Sequence, residues 1–153
     1  MRMERRPRVF VDADVLFAGA ASPGEHGASL VVLRLGEITL IEAVTSTQAV
    51  VECERNLADK LPLALPAFRH LVSRALHVVP DPTPAQVEAF AGRAHAEDLP
   101  ILVAAARGGC PYLVTFNVRH FQPGIEGVSV MPPGNLVAMI RERLTFLSDS
   151  DTS

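Results

Sequence analysis

Tryptophan is absent from this 153-residue chain, and tyrosine and lysine occur once each, the lysine as Lys60. A net charge of −3 argues against a protein that holds nucleic acid by bulk positive charge. An enzyme acting on nucleic acid stays open, because bound cations supply positive charge locally. There are two cysteines, Cys53 and Cys110, and no CxxC pair, which excludes a disulfide framework and a redox dithiol. Both read as reduced thiols, one on a helix and one ahead of a strand. The histidines His26, His70, His77, His95 and His120 form no HxH or HxxxH pair, which argues against a zinc site. No charge-free apolar run approaches the ~18 residues of a membrane span. The opening "MRMERRPRVFVDADVLFAGAAS" has the basic start and apolar run of a secretory signal, but Asp12 and Asp14 interrupt it. A cytoplasmic protein is expected.

What is present is apolar. Hydrophobic residues make up 48% of the chain and charged residues 20%, which suits a folded domain with a substantial core. One domain is expected over 1–147, with "SDSDTS" at 148–153 as a short polar tail. Buried strands are predicted at 8–11, 38–43 ("ITLIEA"), 112–115 ("YLVT") and 128–131, with "LHVVP" at 76–80 as a fifth candidate. Helical patterns lie between them, at 27–35, 46–60, 66–75, 84–95, 99–108 and 133–146. Ser46 and Thr47 supply an N-cap, Thr83-Pro84 opens another helix, and Gly108-Gly109 closes "ILVAAARGG". "AASPGEHGAS" at 20–29 reads as a turn, and "LPLALPAF" as a core contact ahead of a docking surface. Strands alternating with helices imply an α/β fold with a parallel sheet covered on both faces.

In such sheets ligands gather beyond the carboxyl ends of the strands. Asp12 ends the first strand there, and Asn117 follows "YLVT" at the same edge. Glu52 lies six residues into the helix that starts at Ser46, and Asp98 opens the helix "DLPILVAAARGG". Widely separated acids converging on one edge suggest a carboxylate cage for Mg²⁺ or Mn²⁺, hard ions that take oxygen ligands. Each acid also has a plainer reading. Asp98 is equally well read as a helix cap, and Glu52 and Glu54 as solvated helix face. Glu52 nevertheless borders the apolar face, while Glu54 points about 200° away. Asp12 is hardest to explain as structure, because Asp14 is the better-placed cap for the helix that follows.

Together "VFVDADVLFAGAASP", "TSTQAVVECERNL" and "AEDLPILVAAARGGCPYLVTFNVRHF" resemble the PIN-domain family over nearly the whole chain. The similarity is to the VapC-like branch of bacterial toxin components of toxin–antitoxin pairs. The resemblance implies a three-layer α/β/α domain with a central parallel sheet of four to five strands. It also implies a Mg²⁺- or Mn²⁺-dependent endoribonuclease that cleaves RNA phosphodiesters with cation-activated water. The family's metal-binding acids carry over to Asp12, Glu52 and Asp98, with Asn117 as a fourth catalytic position. Where many relatives have an aspartate, this chain has Asn117, and where an acid often follows three residues later it has His120. Asp14 and Thr115 are expected to support the acids, and Arg119 and His120 to meet substrate phosphates. The implied partners are an RNA substrate, a cognate antitoxin and a second copy of the chain.

Two other readings compete. Asn117 and His120 fit a degenerate PIN domain that serves as a binding module. Strand-Asp12-x-Asp14 also resembles the first motif of haloacid-dehalogenase phosphatases, but that family needs a lysine and an acidic pair after its threonine. Here Lys60 and Glu97-Asp98 all precede Thr115, so the order fails.

Overall fold

The computed structural model describes residues 6–21 and 27–151, with the side chains of 146–151 outside the description. Residues 22–26, half of the 20–29 turn and including His26, therefore lie outside the described residues. Five strands form the sheet: β1 (Arg8–Val11), β2 (Glu42–Ser46), β3 (His77–Val79), β4 (Tyr112–Val114) and β5 (Ser129–Met131). Their order is β3-β2-β1-β4-β5 and every pairing is parallel. Phe10 on β1 sits opposite Val44 on one side and Leu113 on the other. Val9, Phe10 and Val11 are fully buried, as continuous apolar runs are in a sheet covered on both faces.

The helices are α1 (Ala13–Ala21), α2 (Ala28–Glu37), α3 (Thr47–Lys60), α4 (Leu65–Ala75), α5 (Pro84–Glu88), α6 (Leu99–Arg107) and α7 (Pro133–Asp151). Contacts link α1 to α2 and α3, and α2 to α4 and α7, while α5 packs on α6 and α6 on β2 and β4. The result is a three-layer α/β/α arrangement. Its strand order reverses beside β1: the chain moves outward through β2 and β3, then returns to β4 on the other flank. Such a switch point opens a crevice beyond the carboxyl ends of the two central strands.

Three expected elements differ from those observed. The strand expected at 38–43 begins instead at Glu42. Residues 38–41 terminate α2: the N–H groups of Leu40 and Ile41 both donate to the Leu35 carbonyl, and Thr39 adopts φ 64°. That left-handed conformation cannot continue a strand. The apolar run is a helix stop, and the strand is the less conspicuous "EAVTS", whose Thr45 and Ser46 are fully buried. The helix expected at 84–95 stops at Glu88. Phe90, Ala91 and Arg93 then bond three residues back, and Gly92 turns at φ 87°. The helix expected at 133–146 runs on to Asp151, so the backbone of 148–151, expected as tail, is helical.

The caps behave as their chemistry dictates. Ser46 accepts from the Ala49 N–H, and Thr83 and Gln86 form a reciprocal capping box. Gly109, at φ 69°, follows the last turn of α6. "LPLALPAF" divides: Phe68 is buried at 1% exposure, whereas Leu63 stands 95% exposed on the 3-10 turn Pro62–Ala64. Among the described residues, no helix is long and apolar enough to cross a membrane.

Candidate functional site

The site is built from the residues that follow β1 and β4. Parallel pairing carries past the strand ends, where the Asp12 N–H donates to the Val114 carbonyl at 3.1 Å. That bond brings Asp12 against Thr115. The Asp12 side chain accepts from the Ala13 N–H at 2.7 Å through Oδ1 and from the Thr115 hydroxyl at 2.8 Å through Oδ2. Both residues are buried, Asp12 at 6% exposure and Thr115 completely. Burial, and next the Asp14 charge, push the Asp12 carboxyl up to about 7 against the lowering effect of those two hydrogen bonds. The charge of Asp98 pushes in the same direction.

Asp14 does not cap α1. It lies inside the first turn, and its Oδ2 accepts from the Phe116 N–H at 3.0 Å, the Asn117 side-chain amide at 3.2 Å and the Thr115 hydroxyl at 3.3 Å. The carboxylate therefore ties the loop after β4 to the helix after β1. Among the described residues, its Oδ1 is buried without a hydrogen-bond partner. Burial raises the Asp14 carboxyl as well, against the lowering effect of its hydrogen bonds.

Asp98 precedes α6, in the position of its N-cap. Its backbone is helical (φ −99°, ψ −10°) and its side chain makes no cap hydrogen bond. Asp98 Oδ2 instead lies 3.2 Å from His120 Nδ1. Glu52, on the exposed rim of α3, has its carboxyl raised by partial burial and then by the charges of Asp98 and Asp14, with Arg55 opposing. Glu54 points elsewhere on α3 and pairs with Arg69 at 3.3 Å. Asp12, Asp14, Glu52 and Asp98 therefore share one electrostatic neighbourhood.

Asn117 is held by two bonds: its N–H donates to the Thr115 hydroxyl at 3.1 Å, and its side-chain amide to Asp14. Arg119 is exposed on the next 3-10 turn, Val118–Phe121, which also carries His120. Phe116 stands 53% exposed at the same edge, the one phenylalanine among the large exposed apolar residues described. Sequence spacing gave no sign of His95, whose ring stacks on His120 with centroids 4.4 Å apart. The signal lay in His95-x-x-Asp98, a short-range pair completed by a histidine 25 residues on, which a search for paired histidines passes over. Cys53 and Cys110 are buried, and burial pushes their thiols up to about 12 and about 11. Both therefore stay protonated and unreactive.

Carboxylate oxygens are the donor chemistry of a hard divalent cation, and burial together with neighbouring charge raises Asp12, Asp14 and Glu52. Among the described residues, however, Asp12, Glu52 and Asp98 do not bring their oxygens within 4.8 Å of one another; the one group that does so is His95, Asp98 and His120. Without a cation, burial and neighbouring charge favour the protonated forms of Asp12, Asp14 and Glu52.

Comparison with known proteins follows the same lines. A sequence model described as the PIN domain matches residues 8–119. No curated protein sequence matches the chain significantly. Among solved structures, PAE2754 from Pyrobaculum aerophilum is similar at 20% identity and TM-score 0.62, covering 89% of this chain and 96% of that one. VapBC2 from Rickettsia felis, bound to a DNA fragment from its promoter, is similar at 14% identity and TM-score 0.59, over 80% of this chain and 96% of that one. VapC20 from Mycobacterium tuberculosis, a Sarcin-Ricin loop cleaving toxin, is similar at 18% identity and TM-score 0.55, over 77% of this chain and 97% of that one.

Proposed function

The chain belongs to the PIN-domain family, and we propose that it is a Mg²⁺- or Mn²⁺-dependent endoribonuclease, the toxin of a toxin–antitoxin pair. One observation carries the reading. Asp12 is almost wholly buried beside Asp14 and within reach of the Asp98 charge, and its carboxyl is pushed up to about 7. A fold keeps so unfavourable a cluster at a strand edge when a cation is meant to neutralise it.

Asp12, Glu52 and Asp98 would hold the cation, with Asp14 Oδ1 as a further oxygen donor. When bound, the cation supplies Lewis acidity and positive charge for hydrolysis of a phosphodiester. The protein's own groups do the positioning. The Thr115 hydroxyl orients Asp12 through its 2.8 Å bond. Asp14 fixes the loop 115–117, which sets where Asn117 and the exposed Phe116 ring stand. Arg119 offers a guanidinium to backbone phosphates, and Phe116 offers a face on which a base can stack. With a net charge of −3 the chain lacks a general attraction for RNA, so binding depends on these local groups and the cation.

The toxin assignment draws support from the fold shared with VapBC2 and VapC20. On that reading the partners are an RNA substrate, a cognate antitoxin and a second copy of the chain in a homodimer, in the cytoplasm. The test is cleavage of single-stranded and structured RNA in Mg²⁺ or Mn²⁺. Wild-type protein is expected to cleave, with activity lost in EDTA and in Asp12→Asn and Asp98→Asn. Undiminished cleavage by either variant overturns the assignment.

A further inference from the structure

We propose that His95, Asp98 and His120 form a second cation site, one that takes a borderline divalent ion such as Zn²⁺ rather than Mg²⁺. One ligand atom from each of the three lies within 4.8 Å of the other two. The grouping is fixed by backbone, not by chance meeting of surface side chains. The His95 N–H donates to the His120 carbonyl at 2.8 Å, and the N–H groups of Asp98 and Leu99 both donate to the His95 carbonyl at 2.9 Å. The His120 N–H in turn donates to the Asn117 carbonyl at 2.9 Å. Three residues from two distant segments thus have their main chains pinned around one point.

The donor chemistry separates this site from the oxygen-only cluster beside it. Imidazole nitrogen suits zinc and its neighbours in the transition series, whereas Mg²⁺ seeks oxygen. Three protein donors with an open fourth position is a familiar zinc arrangement. The rings lie nearly parallel, at 19°, so one must turn before both nitrogens face a shared ion. His95, the exposed member, has the room to turn, while His120 stays against Asp98 at 3.2 Å. The Asp98–His120 contact by itself explains little, because a partly exposed surface pair of this kind contributes only about 0–1 kcal/mol. Asp98 is also one of the acids proposed to hold the first cation, so the second would lie beside it. The inference is independent of the nuclease reading, since it concerns binding and needs no RNA.

Calorimetric titration of Zn²⁺ into the full chain at pH 8, with excess Mg²⁺ present, tests it. Wild-type protein is expected to bind one Zn²⁺. His95→Ala and His120→Gln should each weaken that binding about tenfold or more, whereas Asp12→Asn should stay within about threefold of wild type. Co²⁺ used in place of Zn²⁺ should give visible absorption that disappears in the two histidine variants. His95 is exposed, so His95→Ala carries the test even if His120→Gln folds poorly. Zn²⁺ affinity unchanged in His95→Ala overturns the proposal. Loss of Zn²⁺ in Asp12→Asn overturns it equally, by putting the ion in the carboxylate cluster. Failure to cleave RNA bears on neither result.

Discussion

Asp12 holds its carboxyl near 7 in the fold and near its ordinary value of 3.8 when unfolded. In the cation-free protein the folded state therefore binds more protons than the unfolded chain between those values. Stability falls as pH rises through that window, and the loss is complete above it. A shift of this size corresponds to an effect on the order of 4 kcal/mol. Replacing the acid by its neutral isostere removes the penalty. In EDTA, Asp12→Asn should melt well above wild type at pH 8, and the gap should close towards pH 5. A gap of equal size at both values would show that the charge is not the cause. Asn117→Asp works in the opposite direction. It turns a donor to Asp14 into a second acceptor, so it should lower the cation-free melting temperature and enlarge the rise produced by Mn²⁺. Thermal melts with and without Mn²⁺ read both effects. Strand and helix signals put Asp12 at the end of β1 and Asp98 ahead of α6, but the cap reading of Asp98 fails, because its side chain makes no cap hydrogen bond. The division of labour between Asp12 and Asp14 was not legible. Asp14 meets Asn117 across 103 residues of sequence, and only the pairing of β1 with β4 decides that meeting.

Helix α2 shows how packing at the scale of an element overrides a local pattern. A Cβ added at Gly36 would lie 2.8 Å from the Ala43 side chain and 2.8 Å from the Ala75 carbonyl. There α2 touches β2 and the end of α4 at once, and backbone cannot yield as a side chain tip can. Gly36→Ala is expected to cost about 1–3 kcal/mol. Gly134, in the first turn of α7, has nothing within 4 Å of such a Cβ. Gly134→Ala should gain about 0.5 kcal/mol by restricting the unfolded chain. Urea unfolding of the two variants measures the contrast, and equal effects would contradict the packing assigned to α2. Elements with a strong local signature, such as β1 and the capped helices α3 and α6, were legible almost to the residue. Strand β2 was not, because its buried members include Thr45 and Ser46, which read as polar. Thr45 is satisfied by donating to the Val11 carbonyl at 2.8 Å, and Ser46 by capping α3. Partners on other elements made those polar residues fit for burial, and hydropathy along one segment does not register them.

At the scale of the whole molecule, the question is whether the fold is complete without a cation. A chain with net charge −3 that gathers Asp12, Asp14, Glu52 and Asp98 at one edge concentrates its repulsion there. A ligand that binds only the folded state stabilises it by mass action, by about 2.7 kcal/mol at a hundredfold excess over Kd. For a domain of this size that amounts to a rise of roughly 5 °C or more in melting temperature. Mn²⁺ should therefore raise the melting temperature of the wild-type protein in proportion to the logarithm of its concentration. Monovalent salt at equal ionic strength should do much less, because screening acts weakly on buried charges. Asp12→Asn should abolish most of the Mn²⁺ response while melting higher in EDTA. This pairing separates a cation site from general relief of repulsion, which would leave both variants responding alike. A wild-type protein whose melting temperature ignores Mn²⁺ would instead favour the binding-module reading, in which Asn117 and His120 mark a site that has lost its metal.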